Sequence, residues 1–329
     1  PLIMKLATIV VPAFNVASTL ADTLTSLFAQ TYENFQIIVV DDGSSDDTLR
    51  IAQEFAEDPR LQVVRQPNRG LAGARNTGIA LASGHYIGFC DADDQWEPGK
   101  LEAHVHHLES DPFVGLSYAG SRLMHDDGSL MKQVQRPKLK GVDAAHILKR
   151  NPIGNGSAPV IRAAVFEQIA YRPKFETLRD WYFDETFRQS EDIECWLRIA
   201  LTTDWKIEGV EGLLTRYRVN QGGLSASTDR QLAAWERMVA KLKPIAPFFF
   251  AEHESVARAY QLRYLCRRAI SDLDGDKARV WASKWFAAST WTFAEEPRKS
   301  LETLAAVLAL RVLGKNTLQG LLALRLGRA

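Results

Sequence analysis

The sequence predicts an α/β fold: a mostly parallel, doubly wound sheet followed by a helical C-terminal region. Three observations predict it. Over the first hundred residues, short apolar runs rich in β-branched residues alternate with stretches of helical spacing. Alternation of this kind gives parallel strands joined by right-handed crossovers. Polar clusters also fall where three of those strands end, and that is the edge at which open parallel sheets bind ligands.

The elements follow in order. The run LATIVV at 6–11 reads as a strand buried on both faces. Val16, Leu20, Leu24, Leu27 and Phe28 then recur at helical spacing. FQIIVV at 35–40 is a second buried strand, 48–56 a second helix and LQVV at 61–64 a third strand. A helix over 71–82 is closed by Ser83-Gly84, read as its cap. A fourth strand covers 86–90, and Pro98 opens another helix. After about residue 112 the pattern loosens, with a turn at 126–129 and a loop at 151–157. From about 229 the chain is helix-patterned, broken at 243–247. These features place an α/β domain at 1–226 and a helical region at 227–329.

Bulk properties narrow the function. The chain has 329 residues and a formal net charge of zero, so electrostatics gives no argument for a nucleic-acid partner. Cys90, Cys195 and Cys266 are few, distant and odd in number, which fits reduced thiols in a cytoplasmic setting. The run at 6–11 is too short for the apolar core of a signal peptide, and no stretch of about 18 uncharged apolar residues suggests a spanning helix.

The polar rim carries the chemistry. Strand one runs into Pro12-Ala13-Phe14-Asn15, strand two into Asp41-Asp42-Gly43-Ser44, and strand four into Asp91-Ala92-Asp93-Asp94. Carboxylates this close repel one another unless something positive sits among them. Magnesium or manganese with a phosphate would supply that charge, since such a cation takes one or two carboxylates and completes its shell with phosphate and water. Turns and helix caps are the alternative reading of each cluster taken singly. A Walker motif is absent, as is a Gly-x-Gly-x-x-Gly fingerprint after strand one.

The segments TIVVPAFNVASTLADTLTSLFAQTYENFQIIVVDDGSSDDT, NRGLAGARNTGIALASGHYIGFCDADDQWEP and SEDIECWLRIA, in this order and spacing, closely resemble glycosyltransferase family two enzymes of GT-A fold, over roughly residues 5–225. The resemblance implies an inverting, metal-dependent transfer of a sugar from a nucleotide diphosphate, with UDP favoured, to a hydroxyl of a glycan or lipid-linked acceptor. It implies that Pro12, Ala13 and Asn15 line the nucleotide pocket and that Asp42 hydrogen-bonds the base. Arg75 would face the nucleotide or its phosphates. Asp93 would contact the divalent metal, Mn2+ or Mg2+, and Asp91 the ribose or the metal. Asp192 matches the catalytic base, and its place at a helix N-terminus would keep it ionised.

Other residues are open to two readings. Asp41 begins a turn or joins the nucleotide site, and Asp94 caps a turn before Pro98 or ligates metal. Arg216 and Arg218 meet phosphate or alternate into solvent. Asn220 belongs to an exposed loop or to one closing over the diphosphate. Histidines 104, 106 and 107 read as a solvated helix face rather than a metal site. Trp181 and Tyr182 read as core, with a sugar-stacking platform as the alternative. The apolar, basic stretches at 301–313 and 318–328 read as a packed subdomain or subunit contact, or as a membrane-interface helix at the inner face of the cell membrane. A sugar nucleotidyltransferase and a non-catalytic nucleotide- or glycan-binding module are the competing functions.

Overall fold

β1 (Ala7–Ala13) is buried along its whole length, as a strand covered on both faces must be. The structure, a computed structural model, describes residues 4–219 and 228–326, and the side chains of 228–229 and 315–326 lie outside that description. β1 pairs in parallel with β2 (Phe35–Asp41) on one side and β4 (Tyr86–Phe89) on the other, and β3 (Leu61–Arg65) adds outside β2. Helices α1 (Leu20–Phe28), α2 (Thr48–Phe55) and α3 (Gly70–Leu81) connect these strands.

The sheet continues through β5 (Gln95–Trp96), β6 (Val114–Met124), β7 (Leu130–Gln135), β8 (Val160–Arg162) and β9 (Lys206–Arg218), in the order β3-β2-β1-β4-β8-β6-β9-β5, with β7 beside β6. β8 runs antiparallel to both β4 and β6, while β9 is parallel to β6 and β5 antiparallel to β9. The sheet is therefore mixed: its parallel character holds through β4 and is interrupted beyond it. Helices α4 (Lys100–Ser110), α5 (Ala144–Lys149), α6 (Ala163–Ile169) and α7 (Glu191–Thr202) complete this part of the chain.

Several local expectations need correction. Pro98 does not open a helix; α4 starts at Lys100, and the Pro98 carbonyl instead accepts the Thr31 amide at 2.9 Å. Gly84 is not a helix cap. It is glycine because β1 passes so close that an added Cβ would lie 2.6 Å from the Thr8 amide nitrogen. His104 and His107 are buried, not solvated: both Nδ1 atoms meet the Ser117 hydroxyl on β6, at 2.8 and 2.7 Å. Burial pushes both imidazoles toward the neutral form. His106 alone of the three faces solvent.

The chain divides into two compact units, one of residues 1–147 and 151–226, the other of 148–150 and 227–329. The second is helical: α8 (Thr228–Leu242), α9 (Pro247–Ser271), α10 (Gly275–Ala288), α11 (Trp291–Glu295) and α12 (Pro297–Leu326), which is interrupted at Gly314. Its core joins Cys266, Ala269, Ala278, Ala282 and Val307, and the buried Trp285 indole donates to Thr292 Oγ1 at 2.8 Å. One face of α12 carries Leu301, Leu308 and Val312 exposed to solvent. Among the described residues no helix is long and apolar enough to cross a membrane.

Candidate active site

The three polar clusters meet at one edge because the register puts them there. Ala13 pairs with Asp41 at the ends of β1 and β2, and β4 ends at the same edge, opposite Val10, with the Cys90 amide donating to Val10 O. Pro12 and Ala13 are buried within the sheet, and the Ala13 carbonyl accepts the Asp42 amide at 2.8 Å. Asn15 is exposed at the rim with a left-handed backbone (φ 51°), and its Oδ1 accepts the Ser45 amide at 2.9 Å. The Asn15 amide in turn donates to Ser44 Oγ at 3.0 Å, which locks the loop after β1 to the loop after β2. Phe14 beside it is half exposed.

Asp42 is almost fully buried, and its two oxygens accept three hydrogen bonds: Gln66 Nε2, the Arg69 amide and the Gly70 amide, each at 2.8 Å. It therefore caps the start of α3 from the end of β2. Burial raises its pKa, the three donors oppose the rise, and Asp41 adds to it. Asp41, also buried, accepts the Ser44 amide and lies 3.3 Å from Arg65 Nε.

Arg75 projects from α3 and is 2% exposed. Nη2 donates to Asp91 Oδ1 at 2.9 Å, and Nη1 to Glu191 Oε1 at 2.9 Å. The guanidinium also lies over the Phe89 and Phe183 rings. Burial works against its charge, but Asp91, Glu191 and Asp192 outweigh that and hold it protonated. Arg75 thus bridges two carboxylate motifs, the Asp91 loop and the start of α7. Gly156 makes room for it, since a Cβ there would sit 2.2 Å from Nη2.

A second arginine serves the same loop. Arg218 is buried, its Nε donates to the Asp93 carbonyl at 2.8 Å and its amide to Asp94 Oδ1 at 2.9 Å. Its Nη1 reaches the carbonyls of His125 and Asp126. The reading of Arg218 as alternating into solvent does not hold: it is buried and ties the Asp-rich loop to the 125–126 turn. Arg216 forms a two-pronged pair with Glu97, at 2.8 and 3.1 Å. Asp94 is wholly buried, accepts the Ser157 hydroxyl at 2.6 Å, and is pushed well up by burial and by Asp93 and Asp91. Asp91 and Asp93 keep partial exposure at the rim. Between the two arginines of β9, Tyr217 is held protonated by burial and by Asp94, Asp91, Asp93 and Asp192.

α7 begins with Glu191 and Asp192 after Ser190 in a left-handed conformation (φ 62°). Glu191 is buried against Arg75, whereas Asp192 is partly exposed, with Oδ1 accepting the Ile193 amide at 2.8 Å. At Asp192 burial, and not the helix N-terminus, sets the direction of the shift. Burial raises its pKa more than Arg75 and the Ile193 amide lower it. Glu191 is pushed up to about 7, by burial first and then by Asp192 and Asp91 against the pull of Arg75. Upstream, Trp181 is core: it is 4% exposed and its indole donates to Glu176 at 2.7 Å. Tyr182 is partly buried, edge-on to Phe166. Asn220 lies outside the described residues.

Residues 8–169 match the family model for glycosyl transferase family 2. The chain carries a glycosyl transferase family 2 domain. An Escherichia coli protein named UDP-Glc:alpha-D-GlcNAc-diphosphoundecaprenol beta-1,3-glucosyltransferase WfaP is 27% identical over 266 residues, covering 79% of this chain and 98% of that protein. The chain spans 33% of the length of a Rickettsia felis glycosyltransferase that it also matches. Among solved structures, S. aureus TarS 1-349 in complex with UDP-GlcNAc aligns with a TM-score of 0.59 at 17% identity, over 94% of this chain and 92% of that one. The Pyrobaculum calidifontis mannosyltransferase PcManGT, in complex with GDP-Man and Mn2+, gives 0.54 at 19% identity, over 92% and 86%. These likenesses establish the family 2 fold as GT-A.

Two buried contributors to this family 2 site escaped the sequence reading. Lys100 is fully buried, and its ammonium, pushed down to about 7 by desolvation, donates to Ser157 O, Ala158 O and Thr215 Oγ1. Ser157 in turn accepts the Asp91 amide at 2.9 Å. Lys100 follows the Asp-rich loop closely in sequence, whereas Ser157 lies 63 residues beyond Asp94 and nothing in the sequence signals it.

Proposed function

We propose that this protein is an inverting glycosyltransferase that moves a sugar from a UDP-sugar to a hydroxyl of a lipid-linked or glycan acceptor. The observation that carries the reading is the meeting of Asp91, Asp93, Arg75 and Glu191-Asp192 at the carboxyl edge of a GT-A sheet. The relative WfaP is named for a UDP-glucose donor and a diphosphoundecaprenol acceptor, and the TarS complex holds UDP-GlcNAc; both support a UDP donor.

A divalent cation, Mn2+ or Mg2+, fits the donor set. Among the described residues no group of three or more His, Cys, Asp or Glu could hold a metal. Two rim carboxylates, Asp93 and Asp91, are what such an ion takes when phosphate oxygens complete its shell. When bound, it would offset the charge gathering on the leaving diphosphate.

The chain's own groups do the rest. Arg75 holds Asp91 in place at the phosphate end of the site. Glu191 is spent on Arg75, which leaves Asp192, partly exposed, to receive the proton of the attacking acceptor hydroxyl. A raised pKa makes Asp192 a stronger base than an ordinary carboxylate once ionised. Asn15 and the Ser44-Ser45 turn frame the nucleoside end, with Phe14 offering an exposed ring for base stacking.

For a lipid-linked acceptor, the exposed Leu301, Leu308 and Val312 of α12 supply a face for peripheral contact with the inner surface of the membrane. The test of the whole reading is UDP release from a panel of UDP-sugars with a short lipid-diphosphate GlcNAc acceptor and Mn2+. Acceptor-dependent UDP release is expected. UDP binding without turnover of any donor would favour a binding module.

A further inference from the structure

Asp91 is held at both ends, and a segment that the sequence reads as a plain loop takes part in each hold. Its carboxylate is gripped by Arg75, which fits only because residue 156 is glycine. Its amide is gripped by the next residue, Ser157. The Ser157 side chain is completely buried, and its single hydroxyl proton goes to Asp94 Oδ2 at 2.6 Å while its oxygen accepts the Asp91 amide at 2.9 Å. One hydroxyl thus spans the first and last carboxylate residues of the Asp91-Ala92-Asp93-Asp94 loop, with its donor and an acceptor position both used.

The segment carrying Ser157 is itself pinned from behind. Lys100 Nζ spends its three N–H groups on Ser157 O (2.9 Å), Ala158 O (2.7 Å) and Thr215 Oγ1 (2.7 Å). The ammonium also lies 4.7 Å from the centre of the Trp96 ring. Asn155 closes the other side, accepting the Ser157 amide at 3.2 Å and donating to Ser121 on β6 at 2.9 Å. A serine serving packing alone would face apolar neighbours or its own backbone. This one is aimed wholly at the carboxylate loop.

We propose that Ser157, fixed from behind by Lys100, is a positioning residue that sets the Asp91–Asp94 loop in the geometry required for the metal-diphosphate end of the donor. The assignment rests on the nucleotide-sugar reading above. Ser157→Ala keeps the chain's shape and removes both bonds at once, leaving the Asp91 amide and the Asp94 carboxylate each short of a partner. Lys100→Met removes the rear support and carries a greater risk of misfolding, so Ser157→Ala is the deciding variant.

Two readouts on wild type and Ser157→Ala separate this role from a purely structural one. Amide hydrogen exchange is followed over 90–95, and UDP is titrated with and without Mn2+. The expected result is exchange at 90–95 faster by roughly tenfold with other strands unchanged, as loss of one hydrogen bond implies. Manganese-dependent UDP affinity is expected to fall roughly 10–100-fold, the size seen for partners that orient metal ligands. Unchanged exchange overturns the assignment, and so does faster exchange with wild-type UDP affinity in Mn2+. If wild type binds no UDP, the nucleotide-sugar reading is what fails. The exchange data then still decide whether Ser157 holds the loop.

Discussion

Arg75 Nη2 lies 2.9 Å from Asp91 Oδ1, in a pair whose guanidinium is buried and whose carboxylate stands at the edge of solvent. The same guanidinium reaches Glu191 at 2.9 Å, so one α3 side chain fixes both the Asp-x-Asp loop and the start of α7. Truncating one partner of a buried ion pair leaves an uncompensated charge and costs about 3–5 kcal/mol. Arg75→Met is therefore expected to lower stability by that order in denaturant unfolding. Arg75→Lys, a single-pronged cation that cannot span both carboxylates, is expected to lose activity even where it folds.

Asp192→Asn is expected to leave UDP affinity near wild type and to lower kcat by roughly 10²–10⁴, the usual worth of a positioned base. Single-turnover kinetics at saturating donor checks this. Loss of UDP binding instead would assign Asp192 to the donor rather than the acceptor.

The pH profile should carry the mark of burial at α7. A base must be ionised, so activity falls as pH falls through the pKa of the Glu191-Asp192 pair, which titrates as a unit. Both members are raised, Glu191 to about 7. The acid limb of kcat/KM is thus expected above the ordinary carboxylate range. Glu191→Gln removes a neighbouring negative charge and should move the limb to lower pH. The linkage has a definite sign. The folded state binds these protons more tightly than the unfolded chain, so this pair's contribution to stability falls as pH rises from the usual carboxylate range toward about 7.

Asp42→Ala strips a common partner from Gln66, the Arg69 amide and the Gly70 amide. A loss of about 1–3 kcal/mol of stability is expected, the cost of leaving such groups unmatched. Comparing UDP affinity in Asp42→Asn, which can still accept, tells whether the carboxylate also reads the base.

The two regimes of this sequence differed in how much they disclosed. β1, β2 and α3 were legible because their apolar periods are local and most of their residues are buried. The rim was legible for the same reason, since strand ends place Asn15, Asp42 and Asp91 together whatever else the chain does. What binds those residues was not. The partners of Arg75 lie 16 and 116 residues away, and those of Lys100 57 to 115 residues away. His104 and His107 look amphipathic-polar on α4 until the Ser117 hydroxyl of β6 is seen to meet the Nδ1 of each. Carboxylates clustered this closely call for positive charge, and the guanidinium groups of Arg75 and Arg218 both lie against that loop, in addition to any bound cation.

On α12, replacing Leu308 and Val312, both more than half exposed, by glutamate is expected to reduce co-sedimentation with vesicles containing anionic lipid without lowering UDP affinity. Equal sedimentation of wild type and variant would remove the peripheral-contact reading.

The central claim is that Asp93 and Asp91 receive a metal-bound UDP at the carboxyl edge of the sheet. Calorimetric titration of UDP into wild type and Asp93→Ala, with and without Mn2+, tests it most directly. Manganese-dependent binding in the wild type that Asp93→Ala abolishes is the predicted result. Absence of UDP binding under every condition, or equal binding by the two proteins in Mn2+, would contradict it.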